Sequence, residues 1–122
     1  GGSHTGWTKA SEMIEKGLCS VLASDYYYPA PLLSAFRLAA DGILPLARAW
    51  QLVSTAPAKA AGLLDRGRLT AGHRADILLV DGAVPLRPRI VAVIAAGRLV
   101  HLAEASRLVQ TAPMLHPAIA AA

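Results

Sequence analysis

The chain has 122 residues, enough for one domain or part of one. Hydrophobic residues make up 54% of it, above the usual ~45–50%, so a largely disordered chain is excluded. The net charge is +4, but Arg66, Arg68, Arg74, Arg87, Arg89 and Arg98 alternate with apolar residues and form no run. They read as solvated faces, and no nucleic-acid partner is expected.

Cys19 is the single cysteine, so no internal disulfide is possible and a reducing, cytoplasmic compartment is expected. Its apolar neighbours mark it as a buried structural thiol. No apolar run reaches the ~18 residues that would span a membrane, and the start lacks the charged and apolar parts of a signal peptide. The chain opens on Gly1 rather than Met and reads as a piece of something larger.

Gly1 to Gly6 is a glycine-rich loop. Thr8 is placed to cap a short helix over Lys9 to Lys16, which Gly17 stops. Leu18 to Ser24 is a short apolar run of β type and predicts a buried strand. Asp25 closes it, and Tyr26, Tyr27, Tyr28, Pro29 and Pro31 make the next segment a loop. A carboxylate at the C-terminal end of a buried strand is where barrel-type α/β enzymes keep catalytic groups. A carboxylate that merely caps the following loop or helix is the alternative. At least one of the three tyrosines is expected in the core.

Leu32 to Ala40 carries apolar residues at helical spacing, with Gly42 placed as the residue after the C-cap. Pro45 opens a further helix to about Ser54, and Pro57 to Ala61 forms another, stopped by Gly62. Beyond residue 63 the pattern turns to β. Gly67 and Gly72 flank a short strand. Further strands are predicted over Ala75 to Val80, Ile90 to Ala95 and Arg98 to Leu102, the last two joined by a tight Ala96–Gly97 turn. Asp76 is expected to hydrogen-bond backbone in its own turn, with His73 and Arg74 exposed. Residues 103–122 are an Ala-rich tail that carries no recognisable chemistry.

Two stretches carry a resemblance. ARAWQLVSTAPAKAAGL (47–63) leads into DRGRLTAGHRADILLV (65–80), and VIAAGRLV (93–100) comes after them. This succession resembles the C-terminal signature of the amidohydrolase superfamily. It implies an α/β fold: the last β/α unit of a TIM-like barrel in residues 1–62, then part of a small β-sheet domain in 63–102. The opening residues narrow the resemblance. Gly1, Gly2, Ser3, His4, Thr5 and Gly6, then Ser24, Asp25 and Tyr26, are similar to the family of α-D-ribose 1-methylphosphonate 5-triphosphate diphosphatases of bacterial phosphonate breakdown. Thr5 and Trp7 depart from that family's serine and asparagine.

The resemblance implies that Asp25 is both a catalytic group and a ligand of a divalent metal, whether zinc, manganese or magnesium. It implies that Gly2, Ser3 and His4 bind a phosphorylated small-molecule substrate. Glycine backbone N–H groups can approach a phosphate closely, although a plain turn is the alternative for this loop. No His-x-His pair occurs, and His4, His73, His101 and His116 are dispersed. A catalytic zinc wants about three protein ligands, so the chain is expected to lack the N-terminal barrel portion and to be inactive alone. Unpaired strand edges make self-association, including a homo-oligomer, an expectation. A hydrolase of C–N bonds, either a cyclic-amide hydrolase or a deaminase, is the alternative within the superfamily. A non-catalytic interaction module is the alternative outside it.

Overall fold

Four short helices and three strands make up the architecture. A computed structural model describes residues 9–103. The elements are α1 (Ala10–Glu15), α2 (Ala30–Ala40), α3 (Leu46–Gln51), α4 (Thr55–Ala60), β1 (Ile77–Asp81), β2 (Arg89–Ala95) and β3 (Arg98–Leu102). A helical half thus precedes a sheet half, the last helix ending at Ala60 and the first strand starting at Ile77.

The helices stop where glycine permits it. At the end of α2, Gly42 N–H bonds to Ala39 O (3.2 Å) and Ile43 N–H to Leu38 O (3.0 Å). This pair of bonds satisfies carbonyls the helix would otherwise leave open, and it needs a left-handed residue after the cap. Gly42 has φ +72°. The same two-bond closure ends α1 at Gly17 and α4 at Gly62. Pro31 sits in the first turn of α2, where no N–H is missed.

Two helices differ from expectation by a few residues. α3 ends at Gln51 rather than near Ser54. Ser54 Oγ donates to Trp50 O (2.9 Å), and Leu52 and Val53 make tightened bonds to Ala49 and Trp50, so residues 52–54 form a turn. α4 then starts at Thr55, two residues before Pro57. Proline serves there as a first-turn residue rather than as the initiator.

The core joins these helices. Ile14, Ala35, Leu38 and Ala49 are buried together, with Cys19, Leu22, Ile43, Leu44, Trp50, Leu52 and Val53 packed against them. Phe36 meets Trp50 edge to face, ring centroids 6.4 Å apart. Cys19, expected to be buried, is only half-buried; it donates to Val21 O (3.3 Å).

The strands form one antiparallel sheet in the order β1-β2-β3. Ile77 pairs with Ile94, and Ile94 with Leu99; Leu79 pairs with Ala92, and Ala92 with Leu102. These cross-strand rows put six apolar side chains on one face. The β2–β3 hairpin closes through Ala96 (φ +49°) and Gly97 (φ +76°). Two left-handed residues in succession suit the twist of a tight hairpin.

Two expected strands are absent. Residues 18–24 form no strand. The backbone bond there is Leu22 N–H to Leu52 O (2.8 Å). A strand exists by virtue of its ladder, and among the described residues no strand lies beside this one. Residues 68–71 likewise form no strand. They have no ladder partner, and Thr70 O accepts from His73 N–H (3.0 Å) within a turn.

Candidate functional site

The segment 18–29 carries the first candidate. It leaves α1 at Gly17, is tied to the core through Cys19 and Leu22, and enters α2 at Ala30. Its last turn is pinned at one atom. The Tyr27 carbonyl accepts from Ser24 Oγ (2.7 Å) and from Ala30 N–H (2.9 Å). Asp25 lies inside this turn and is exposed. No described residue hydrogen-bonds to its carboxylate. It does not cap α2, whose N-cap is Pro29 with no side-chain bond. The capping alternative is therefore not what the structure adopts.

The three tyrosines are a correction. Tyr26, Tyr27 and Tyr28 are 78%, 53% and 91% exposed, so none belongs to the core. The reason is geometric. The pinned turn carries them away from the Ile14–Leu38–Ala49 cluster, and Phe36 and Trp50 supply the aromatic packing instead. Leu18, at 68% exposure, adds to the apolar surface of the same segment.

Gly2, Ser3 and His4 lie outside the described residues, as do Thr8, His116 and most of the Ala-rich tail. Among the described residues no group of three or more His, Cys, Asp or Glu side chains could hold a metal ion. These residues do not fit a divalent ion by themselves. Asp25 offers one carboxylate, and His73 and His101 sit in the sheet half.

The second cluster is polar and structural. Asp76 accepts from Ala96 N–H (2.8 Å) and from Arg74 Nε (2.9 Å). Arg66 reaches it at 4.0 Å, and Arg66 also grips Asp65 with two bonds of 2.9 and 3.1 Å. The Ala96 amide, then Arg74, holds the Asp76 carboxyl below its ordinary range. The hydrogen bond from Arg66 does the same for Asp65. Asp76 thus fastens the hairpin turn to the strand entry, through the amide of Ala96 in the hairpin rather than through backbone of its own turn as expected. Sequence reading did not foresee Arg66 as the hub, although the Asp65–Arg66 adjacency is a signal for it. His73 corrects the expectation of exposure. It is half-buried, and its Nδ1 is buried without a partner.

An open depression of about 480 Å³ is lined by Ser54, Pro57, Ala58, Leu63, Arg66 and Asp76, among others. Asp25 does not line it. The depression belongs to the joint between the helical and sheet halves, where Thr55 Oγ1 donates to Gly67 O. No described helix is long and apolar enough to cross a membrane.

The described residues thus comprise four short helices followed by a three-stranded antiparallel sheet. The amidohydrolase family profile matches residues 3–112, and the chain belongs to that family. Its members are hydrolases that generally use divalent metals. The chain is 49% identical over 82 residues to the alpha-D-ribose 1-methylphosphonate 5-triphosphate diphosphatase of Escherichia coli (strain K12), covering 65% of this chain and 21% of that protein. It is 47% identical over 60 residues to the adenine deaminase of Gluconobacter oxydans (strain 621H), covering 49% of this chain and 10% of that protein. The chain thus spans about a fifth or less of the length of these relatives. No solved structure matches it.

Proposed function

We propose that this chain is the C-terminal portion of a hydrolase of phosphonate breakdown. That enzyme would cleave ribose 1-methylphosphonate 5-triphosphate to the 5-phosphate and diphosphate. The observation that carries the reading is the 49% identity to the Escherichia coli diphosphatase. Asp25 supports it as a solvent-facing carboxylate that no described side chain occupies. In the reaction, water attacks the phosphorus nearest the ribose. The bond from that phosphorus to the bridging oxygen breaks, diphosphate leaves, and Asp25 accepts the proton of the water. Gly2, Ser3 and His4 are proposed to hold the phosphate chain. The described residues do not build a metal site, so any metal is proposed to rest on ligands beyond them, with Asp25 as one contributor.

A second reading is favoured by the identity to the adenine deaminase. It would place Asp25 in a hydrolase of C–N bonds. One experiment separates the two. The whole polypeptide encoded by the gene, read upstream of Gly1, is purified and supplied in turn with the ribose triphosphate and with adenine. Release of diphosphate from the first supports the proposal. Ammonia from adenine, without diphosphate, replaces it with the second reading. Neither product, with no His-x-His encoded upstream, leaves a non-catalytic module. The chain of 122 residues alone is expected to release neither.

A further inference from the structure

We infer that Ser24 is a positioning residue for Asp25: its hydroxyl closes a clasp over the aspartate, on the Tyr27 carbonyl, and so sets where the Asp25 carboxylate stands. This deepens the proposed function and rests on the role given there to Asp25. Ser24 Oγ donates to Tyr27 O at 2.7 Å. The bond starts one residue before Asp25 and ends two residues after it, so it encloses the aspartate in a small ring. The same carbonyl accepts from Ala30 N–H at 2.9 Å, which ties the clasp to the first turn of α2. That helix is held by buried Ala35, Phe36 and Leu38. On the other side, Leu22 N–H bonds to Leu52 O at 2.8 Å, and Leu22 packs against the cluster of Ile14, Ala35, Leu38 and Ala49. Asp25 thus lies between two anchored points, Leu22 and Ala30, and the Ser24 hydroxyl shortens the free span between them.

Serine hydroxyls make such bonds to backbone a few residues on, and the bond shapes the turn locally. Its partners are three residues apart, so the clasp is built from the segment itself. Removing the hydroxyl leaves the Ala30 bond in place, so the entry to α2 survives. What is lost is the tie across Asp25. A group that takes a proton from an attacking water must stand within hydrogen-bond reach of it. A misplacement of about 1 Å can cost ~100-fold in rate. Ser24 therefore acts on the reaction through Asp25 and makes no contact with substrate itself.

The test uses the whole polypeptide and the variants Ser24→Ala and Ser24→Thr. Diphosphate release from the ribose triphosphate is measured in single turnovers, so that product release does not mask the chemical step, and KM in the steady state. Ser24→Ala is expected to slow the single turnover about tenfold or more with KM changed by less than about twofold, since the hydroxyl is engaged by backbone and not by substrate. Ser24→Thr keeps the hydroxyl and is expected to recover most of the rate. An unchanged rate in Ser24→Ala refutes the inference. So does a loss that falls on KM, which would make Ser24 a substrate contact, and so does a loss that Ser24→Thr does not recover. In each of these cases diphosphate release by the wild type leaves the proposed function standing. A wild type that forms ammonia from adenine without diphosphate overturns the proposed function, and the same comparison is then read on ammonia. A wild type that forms neither product overturns both.

Discussion

Gly67 is where the joint between the two halves can be tested most sharply. Its φ is +84°, and a Cβ added there would lie 2.8 Å from Ala58 Cβ, 3.0 Å from Ser54 O and 3.1 Å from Thr55 Cα. Two of these three atoms are backbone, so the clash cannot be relieved by a rotamer change. Its carbonyl is also held by Thr55 Oγ1. Gly67→Ala therefore combines a left-handed backbone penalty of about 1–2 kcal/mol with overpacking of about 1–3 kcal/mol. Gly62 is the control. It has φ +73° and nothing within 4 Å of an added Cβ, so Gly62→Ala carries only the first penalty.

The assay is thermal unfolding of the chain, monitored by far-ultraviolet circular dichroism. In a domain of this size each kcal/mol moves Tm by ~4–8 °C. Gly67→Ala should therefore melt at least about 4 °C below Gly62→Ala, the smallest gap these magnitudes allow. Equal Tm values for the two variants would refute the close approach of residue 67 to α4, and with it the packing of the 63–67 segment on the helical half.

Core packing and the two carboxylates set three further outcomes. Ala49 is fully buried where α3 packs against α2, so Ala49→Leu should destabilise by about 1–3 kcal/mol in urea unfolding through overpacking, and a neutral result would mean the helices are farther apart. The Asp76 carboxyl lies below its ordinary value of 3.8 in the folded chain. Its stabilisation is therefore present above that pH and is lost as pH falls through the folded value; the Ala96 amide resonance should shift in that acid range, and Asp76→Asn should remove the titration. Asp25→Asn should leave Tm unchanged, because no described residue bonds to the carboxylate, yet it should abolish diphosphate release by the whole polypeptide. A large fall in Tm would point to a structural role for Asp25.

The legible parts of the fold were those set by local chemistry. Gly17, Gly42 and Gly62 end helices because a left-handed residue lets two amides reach back to open carbonyls. Ala96 and Gly97 mark a hairpin for a related reason. The strand predicted over 18–24 failed because a strand is a relation between segments. Its apolar run describes what its side chains avoid, not which ladder its backbone joins. The same limit applies to Tyr26–Tyr28. Composition favours burying a tyrosine, but the turn pinned at Tyr27 decides where the rings go. Arg66 was missed because its two partners are Asp65, adjacent in sequence, and Asp76, which only the fold brings near.

The two clusters of charge in this chain differ in a way that bears on function. Asp76 is saturated: an amide and a guanidinium bond to it and a second guanidinium lies close, so it is committed to holding a hairpin. Asp25 has no such commitment among the described residues, though it sits on a turn that is itself firmly tied. In this chain the exposed carboxylate and tyrosines lie on a turn whose backbone is tied at the Tyr27 carbonyl. Among the described residues no group of three or more His, Cys, Asp or Glu could hold a metal ion, and one carboxylate is too few for a divalent ion. Under the proposed function, Asp25 is one member of a larger set of site residues, and the tied turn fixes the backbone that carries it.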